Sequence, residues 1–444
     1  MLKLISIKKR INPFKKRSIS VPGDKSLSIR FILLSSLTNG KCTAHNLLNS
    51  EDVLDAIKNI KKLGIKINFN SSKCEVFGKG LFGFKYTKNL ILDVGNSGTT
   101  ARLLCSVLID TPHQIKITGD ESLKKRDMKR IIQPLRMFGA KFKSKNGKLP
   151  LWIKGSKSTK PINYTENLGS AQCKSAVMIA ALKTFGKTKI KSLPSRNHTE
   201  LMFKNALNIP IKIKQDKNYD FIELSGKKEI RAFNYRLPGD ISSASFFIVL
   251  TLLSKNSELI VKNVNINSSR IGIIKILNMM GAKIKFLNKR KYKGELIGDI
   301  FVRSRQKLKA INLDSSFNSS AIDEFLLIFL VASKCDGVSS FKKLSELNKK
   351  ESKRLDWGFK ILKMMGIKTI KTKNFGIKIK GNVNLELNST YVIKNYLKDH
   401  RIFMVSVIAA LTLGGDWKIY DPISFKTSFP TFLKTLKYLG AKIK

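Results

Sequence analysis

The sequence predicts an α/β protein of two domains, each made from three copies of one repeated unit. Three observations carry that prediction. One series of segments runs a helix tail into glycine and then into a strand that alternates lysine with apolar residues: KKLGIKI at Gly64, RMFGAKF at Gly139, NMMGAKI at Gly281, KMMGIKT at Gly366 and KYLGAKI at Gly440. A sixth, degenerate member, ALNIPIKI, has Asn208 in place of the glycine. A second series places a small or polar turn before an apolar helix, at Gly23, Gly95, Gly169, Gly239, Asp323 and Asp399. The two series keep phase, each turn lying 39 to 44 residues before its glycine or asparagine partner. The third observation is size: 444 residues with 42% hydrophobic content exceed what one core organises.

Glycine or asparagine after a helix is the expected left-handed cap, and the period-2 alternation that follows reads as a strand. The second series supplies the buried helices: PGDKSLSIRFILLSSL, GNSGTTARLLCSVL, GSAQCKSAVMIAAL, PGDISSASFFIVLTLL, IDEFLLIFLVAS and DHRIFMVSVIAALTL. Six units divide naturally as three and three. Pro22-Gly23 and Pro238-Gly239 punctuate the chain, so residues 1–21 with 237–444 are expected to form a lower domain and 22–236 an upper one. If the first strand returns to the C-terminal half, the two crossings make a double hinge.

Composition narrows the function. Lys+Arg 84 against Asp+Glu 31 gives a formal charge of +53, which first suggests nucleic acid. Only 16 of those cations are arginine, however, and the 68 lysines spread along the whole chain instead of clustering on one face or tail. No specific nucleic-acid partner is expected. Five widely spaced cysteines, never in a CxxC pair, give neither a disulfide framework nor a zinc spacing, and the four histidines never form HxxxH. The longest apolar run, Phe325 to Ala332, is far short of the roughly 20 residues a membrane span needs. The basic first 17 residues lack the apolar block and cleavage site of a secretory signal. The expected setting is cytoplasmic, with no membrane partner.

The chemistry gathers where the apolar helices begin. Lys25, Ser26 and Arg30 put two cations and a hydroxyl at one helix start. Asn96-Ser97-Gly98-Thr99-Thr100-Ala101-Arg102 is a glycine turn followed by arginine. Ser170-Ala171-Gln172, Asp323-Glu324 and Asp399-His400-Arg401 open three more helices. Free N–H groups and the positive end of the helix dipole favour anions, phosphate above all. Two loops add to this: Gly119–Arg126 ends in a basic cluster, and Lys350-Glu351-Ser352-Lys353-Arg354 sets an acid among cations. Such ends suit a multiply anionic small molecule.

The motifs PGDKS-x-S-x-R, GNSGTT-x-RLL, TGDESL-x-x-R, SAQ-x-KSA, SR-x-HTE, IDE, KES-x-RL, DHRI and TSFP occur here in one order over essentially the whole chain. In this the chain resembles the 5-enolpyruvylshikimate-3-phosphate (EPSP) synthase family of enolpyruvyl transferases. The resemblance implies the family's inside-out α/β barrel in each domain. It also implies transfer of the enolpyruvyl group of phosphoenolpyruvate to the 5-hydroxyl of shikimate 3-phosphate, with release of phosphate. No metal or organic cofactor is implied, and the expected state is a monomer. Carried over by motif, Lys25, Ser26, Arg30, Ser170, Gln172, Arg196, Asp323 and Lys350 would hold shikimate 3-phosphate. Lys25, Gly98, Arg126, Gln172, Arg354 and Arg401 would hold phosphoenolpyruvate. Asp323 would accept the hydroxyl proton, and Glu351 and Lys25 would serve the other proton steps. Glyphosate competes with phosphoenolpyruvate in this family. Gly98 points to inhibition, whereas SAQ-x-K with Arg196, His198 and Glu200 resembles the division that contains tolerant members, so intermediate sensitivity is expected.

Several positions depart from the family pattern. Lys353 stands where Asp is usual, Asn348 where Arg often stands, Ile29 for His or Asn, Asn197 for Asp and Asp127 for Pro. Thr427 replaces a lysine that some members carry and receives no role. Two rivals belong beside this reading. The sister UDP-N-acetylglucosamine enolpyruvyl transferase shares the repeat but typically uses a reactive loop cysteine, and none of the five cysteines here lies in a basic glycine-rich loop. A basic nucleic-acid-binding protein on the same repeat is the other.

Overall fold

The computed structural model describes residues 4–71, 73–216, 218–226, 229–305 and 307–444. The chain divides into two compact units. One is Gly23–Leu237 with Lys291–Glu295, and the other is Met1–Pro22, Pro238–Arg290 and Leu296–Lys444. The described strands form six sheets, and each unit contains three of them. The mixed α/β character and the six-fold repetition expected from the sequence are both present.

In the Gly23–Leu237 unit, the helices Lys25–Ser36, Gly98–Val107 and Ala171–Leu182 form the core. They are apolar on nearly every side, which is why they are buried on nearly every side. The middle one packs against both others. Each sheet follows one plan. Strand Ile91–Asp93 leads into the Gly98–Val107 helix, and strand Ile115–Thr118 returns parallel to it. The amphipathic Lys129–Met137 helix follows, and then an antiparallel pair, Lys141–Ser144 with Leu151–Lys154. The third sheet repeats this around the Ala171–Leu182 helix. In the first sheet the parallel edge strand, Asn234–Arg236, comes from the far end of the unit and pairs with Asn39–His45.

The other unit has the same plan around the helices Ile241–Leu253, Phe325–Ala332 and His400–Leu413, which pack against one another. Phe247 meets Phe429 and Phe432 at ring-centroid distances of 5.8 and 6.0 Å. Burying one such side chain contributes about 1.5–3 kcal/mol. Here the displaced edge strand is Arg17–Ser20, parallel to Glu258–Asn265, and strand Leu4–Ile7 lies antiparallel to Gly414–Tyr420. The early strands therefore do join the C-terminal half. Among the described residues, no single helix is long and apolar enough to cross a membrane.

The turn series is realised in backbone angles. Gly64, Gly139, Gly281, Gly366 and Gly440 all take φ between 74° and 104°, and Asn208, the degenerate member, takes 51°. Five of the six alternating segments then form strands; the sixth does not. After Gly440 no strand forms, and the chain ends in two backbone hydrogen bonds between Ser6 and Lys444, at 2.8 and 3.1 Å. Strand Leu4–Ile7 thus lies between Gly414–Tyr420 and Lys444. The fifth helix also begins later than the sequence suggests, at Phe325, which leaves Asp323 in the turn before it.

Gly366 isolates the cost of the left-handed turn, because a Cβ added there would meet nothing within 4 Å. Gly366→Ala should destabilise the protein by about 1–2 kcal/mol, the usual penalty of a side chain in that region. Gly366→Asn should cost less, and both are read from urea-unfolding midpoints.

Candidate active site

The Gly23–Leu237 unit carries Lys25, Ser26, Arg30, Gly98, Arg126, Ser170, Gln172 and Arg196. The cap of the first core helix is Asp24, which accepts the N–H of Leu27 at 2.9 Å. Lys25, next in line, is half-buried and pairs with Asp52 at 3.0 Å. Arg30 lies deeper, with Nε donating to Thr199 at 2.8 Å and Nη2 to Ser175 at 2.9 Å. Its Nη1 donates to the carbonyl of Ser26 at 3.2 Å. Arg30 thus ties the first core helix to the third and to the His198–Asn205 helix.

The glycine turn is built around missing side chains. A Cβ on Gly98 would stand 2.8 Å from Nη1 of Arg126 and 3.0 Å from Nη1 of Arg102, so two guanidinium groups occupy the space it leaves. Arg102 is buried and donates to Gln172 Oε1 at 2.8 Å and to the carbonyl of Asp127 at 3.2 Å. Burial, with Arg126 and Arg130 beside it, pulls its pKa down to about 9. Gln172 in turn donates to Thr99 at 2.9 Å, so the starts of the second and third core helices are bonded together. Ser170 caps the third helix through the N–H of Cys173. The turn before it is held by Glu166, a buried carboxylate that accepts Leu168 N–H at 3.0 Å and Ser170 N–H at 2.9 Å. Burial raises the pKa of Glu166.

The R-x-H-x-E stretch separates into different surroundings. Arg196 is half-buried, while His198 and Glu200 are buried. Nδ1 of His198 lies 2.6 Å from Glu295, and Glu200 lies 2.6 Å from the fully buried ammonium of Lys174. Asp220 also lies 3.5 Å from that ammonium.

The other unit carries Asp323, Lys350, Glu351, Arg354 and Arg401, and it brings them into one connected network. Asp323 Oδ1 lies 3.1 Å from Lys350 and 3.5 Å from Arg354. Arg401 donates to the Asp323 carbonyl at 2.6 Å and lies 3.4 Å from Glu324. Arg354 is the hub. Its guanidinium is 2% exposed, grips Asp399 through Nε at 2.9 Å and Nη2 at 3.2 Å, and also pairs with Glu351. Those carboxylates raise its pKa against the opposing effect of burial. Asp399 does double duty, since it also caps its own helix through Arg401 N–H at 2.9 Å and receives Ser352 Oγ at 2.9 Å.

Sequence reasoning left out of the candidate set Arg102, Arg130, Glu166 and Asp399. Arg102 had a signal: a basic residue one turn into a helix that is otherwise apolar. Asp399 was visible as a cap but not as the partner of a residue 45 positions away. Thr427 lies against His400, its Oγ1 3.4 Å from Nδ1.

Three sheets wrapped around three buried helices in each unit, with basic helix starts, define an enolpyruvyl-transferase type of protein. The enolpyruvyl transferase NikO from Streptomyces tendae shares this fold, with a TM-score of 0.76 at 12% identity over 99% of this chain and 98% of that one. The chain belongs to the EPSP synthase (3-phosphoshikimate 1-carboxyvinyltransferase) family, whose model matches residues 11–436. A 3-phosphoshikimate 1-carboxyvinyltransferase of Ruthia magnifica subsp. Calyptogena magnifica is 40% identical over 427 residues, covering 96% of this chain and 95% of the relative. One from Thermoanaerobacter sp. (strain X514) is 40% identical over 439 residues, covering 98% and 100%. The solved EPSP synthase of Acinetobacter baumannii is 33% identical with a TM-score of 0.85, covering 99% of each chain.

Beneath the glycine turn, Asp55 Oδ2 lies where a Cβ on Gly95 would fall, at 2.2 Å. Burial, then Asp52 and Asp93, push its carboxyl up to about 6. In the unfolded chain the same group ionises near 4. Between those values the folded state holds the extra proton, so the protein loses stability as pH rises from about 4 to about 6, and the loss persists above that. Asp55→Asn should therefore gain on the native protein across this interval, read as urea midpoints at stepped pH.

Proposed function

We propose that this chain is a cytoplasmic enzyme that transfers the enolpyruvyl group of phosphoenolpyruvate to the 5-hydroxyl of shikimate 3-phosphate and releases phosphate. The observation that carries the reading is the arginine cluster at Gly98. Burial, with Arg126 and Arg130 beside it, lowers the pKa of Arg102, and an anion at that helix start would be met by guanidinium groups and free N–H groups together. Family membership gives the anion its identity. The comparisons favour neither the UDP-N-acetylglucosamine transferase nor a nucleic-acid-binding protein.

The reaction is an addition followed by an elimination. Asp323 accepts the 5-hydroxyl proton as the oxygen bonds to C2 of phosphoenolpyruvate and a proton is delivered to C3. The tetrahedral adduct then expels phosphate as a proton leaves C3, giving the enol ether. Contact of the Asp323 carboxylate with Lys350 and Arg354 fixes its position beside cations that offset charge as it develops. Glu351 and Lys25 serve the remaining proton transfers, the former oriented by Arg354 and the latter by Asp52. Lys25, Ser26, Arg30, Ser170, Gln172, Arg196 and Lys350 are assigned to shikimate 3-phosphate. Lys25, Gly98, Arg126, Gln172, Arg354 and Arg401 are assigned to phosphoenolpyruvate. Arg30 and Arg354, being held by neighbouring side chains, enter this scheme already oriented. All assigned groups belong to one chain, so a monomer suffices.

Purified protein given both substrates should release phosphate, and no release with shikimate 3-phosphate while another acceptor works would overturn the assignment. Asp323→Asn should still bind both substrates but turn over about 100-fold more slowly or worse, the scale of losing a general base. Gly98→Ala tests the turn. The added methyl must push Arg126 aside, and such overpacking costs about 1–3 kcal/mol, so glyphosate should weaken by roughly tenfold while phosphoenolpyruvate suffers less. Equal inhibition of both proteins would remove Gly98 from the inhibitor's surroundings.

A further inference from the structure

We propose that Asn348 is a positioning residue for the loop bearing Lys350 and Glu351. It supplies from outside the following helix the cap that Lys353 cannot provide. The inference rests on the reaction proposed above and concerns what sets the loop's place in it.

The helix Arg354–Met364 has Lys353 at its cap position, exposed and with no side-chain cap bond. A lysine ammonium has donors only, so it has nothing to offer the free N–H groups of the first turn. A capping side chain ordinarily accepts from the second or third helical residue, here Leu355 and Asp356. Both N–H groups go instead to one atom, Oδ1 of Asn348, at 2.9 and 3.4 Å. The amide also gives back: Nδ2 of Asn348 donates to Asp356 Oδ1 at 3.1 Å. A neutral amide does what neither an aspartate nor an arginine could do there, accepting from two N–H groups while donating to the acid beside them.

The support behind Asn348 is firm. It lies in the Ser345–Lys349 turn next to Leu347, whose side chain is buried in the core, so the cap is anchored independently of the helix it serves. Only residues 349–353 separate it from Arg354, and the amide staples both ends of that short loop. Within the loop, Ser352 is tethered to Asp399, Lys350 reaches Asp323 and Glu351 reaches Arg354. Arg354 itself is gripped by Asp399 whether or not the loop is stapled. Loss of the cap should therefore disturb Lys350 and Glu351 far more than Arg354.

The test is a rescue. Asn348→Ala should lower kcat and raise the KM for shikimate 3-phosphate, each by about fivefold or more, the scale of a lost cap. The KM for phosphoenolpyruvate should stay within about twofold, because Asp399 still holds Arg354. Adding Lys353→Asn, which places an acceptor at the cap position itself, should restore most of the loss. Adding Lys353→Gln removes the same charge without a side chain suited to cap, and it should restore little. Amide exchange over residues 349–353 gives the same answer without turnover: faster in Asn348→Ala, slowed again by Lys353→Asn. A wild-type protein without phosphate release would defeat the proposed reaction, and the exchange result would still judge the staple. Unchanged exchange and kinetics in Asn348→Ala, equal loss for both substrates, or equal rescue by Asn and Gln would overturn the inference.

Discussion

A helix that is apolar on every side can be polar only at its ends. The six central helices of this protein come close to that kind, and their burial leaves the first-turn N–H groups in need of partners. Asp24, Ser97, Ser170, Asp240 and Asp399 meet that need as caps in five of them, while the Phe325–Ala332 helix has no side-chain cap bond. Cations are then added around caps whose dipoles are already positive, an arrangement that only an anion makes comfortable. Chemistry collects at helix starts because packing leaves it nowhere else to go.

The two units resolve this tension differently. Around Gly98 the guanidinium groups of Arg102 and Arg126 are packed together, and burial, with Arg126 and Arg130 beside it, lowers the pKa of Arg102. In the other unit the cations of the site meet carboxylates: Arg354 meets Asp399, Glu351 and Asp323, Lys350 meets Asp323, and Arg401 meets Glu324. The first arrangement suits holding a charged group, the second suits moving protons between neighbours. Asp399 shows how little material this takes, since one carboxylate ends a helix, orients an arginine and receives a serine.

The repeat, the class of fold and the helix starts were legible because each depends on local rules: a residue tolerant of positive φ after a helix, a cap before an apolar run. Asn208 illustrates this, being recognisable as a left-handed turn despite lacking the glycine of its fellows. What sequence could not show depends on partners distant along the chain. His198 reads as a motif residue but spends its ring nitrogen on Glu295, 97 positions later. The departures at Asn348 and Lys353 look like two unrelated losses until hydrogen bonds reveal one cap moved between them. The residue after KYLGAKI likewise finds a distant partner, since Lys444 bonds to Ser6 in a strand from the other end of the sequence.

The strands Leu4–Ile7 and Arg17–Ser20 find their partners in Gly414–Tyr420 and Glu258–Asn265. On the ribosome these strands are made well before their neighbours, which emerge hundreds of residues later. The unit begun at Gly23 can complete its sheets once Asn234–Arg236 has appeared, save for the short Lys291–Glu295 turn. The other must wait with unsatisfied strands ahead of Gly23 until Gly414–Tyr420 has been made and Ser6 can join Lys444. Vectorial synthesis thus imposes an order of assembly, and the second unit is finished by strands made before the first unit began.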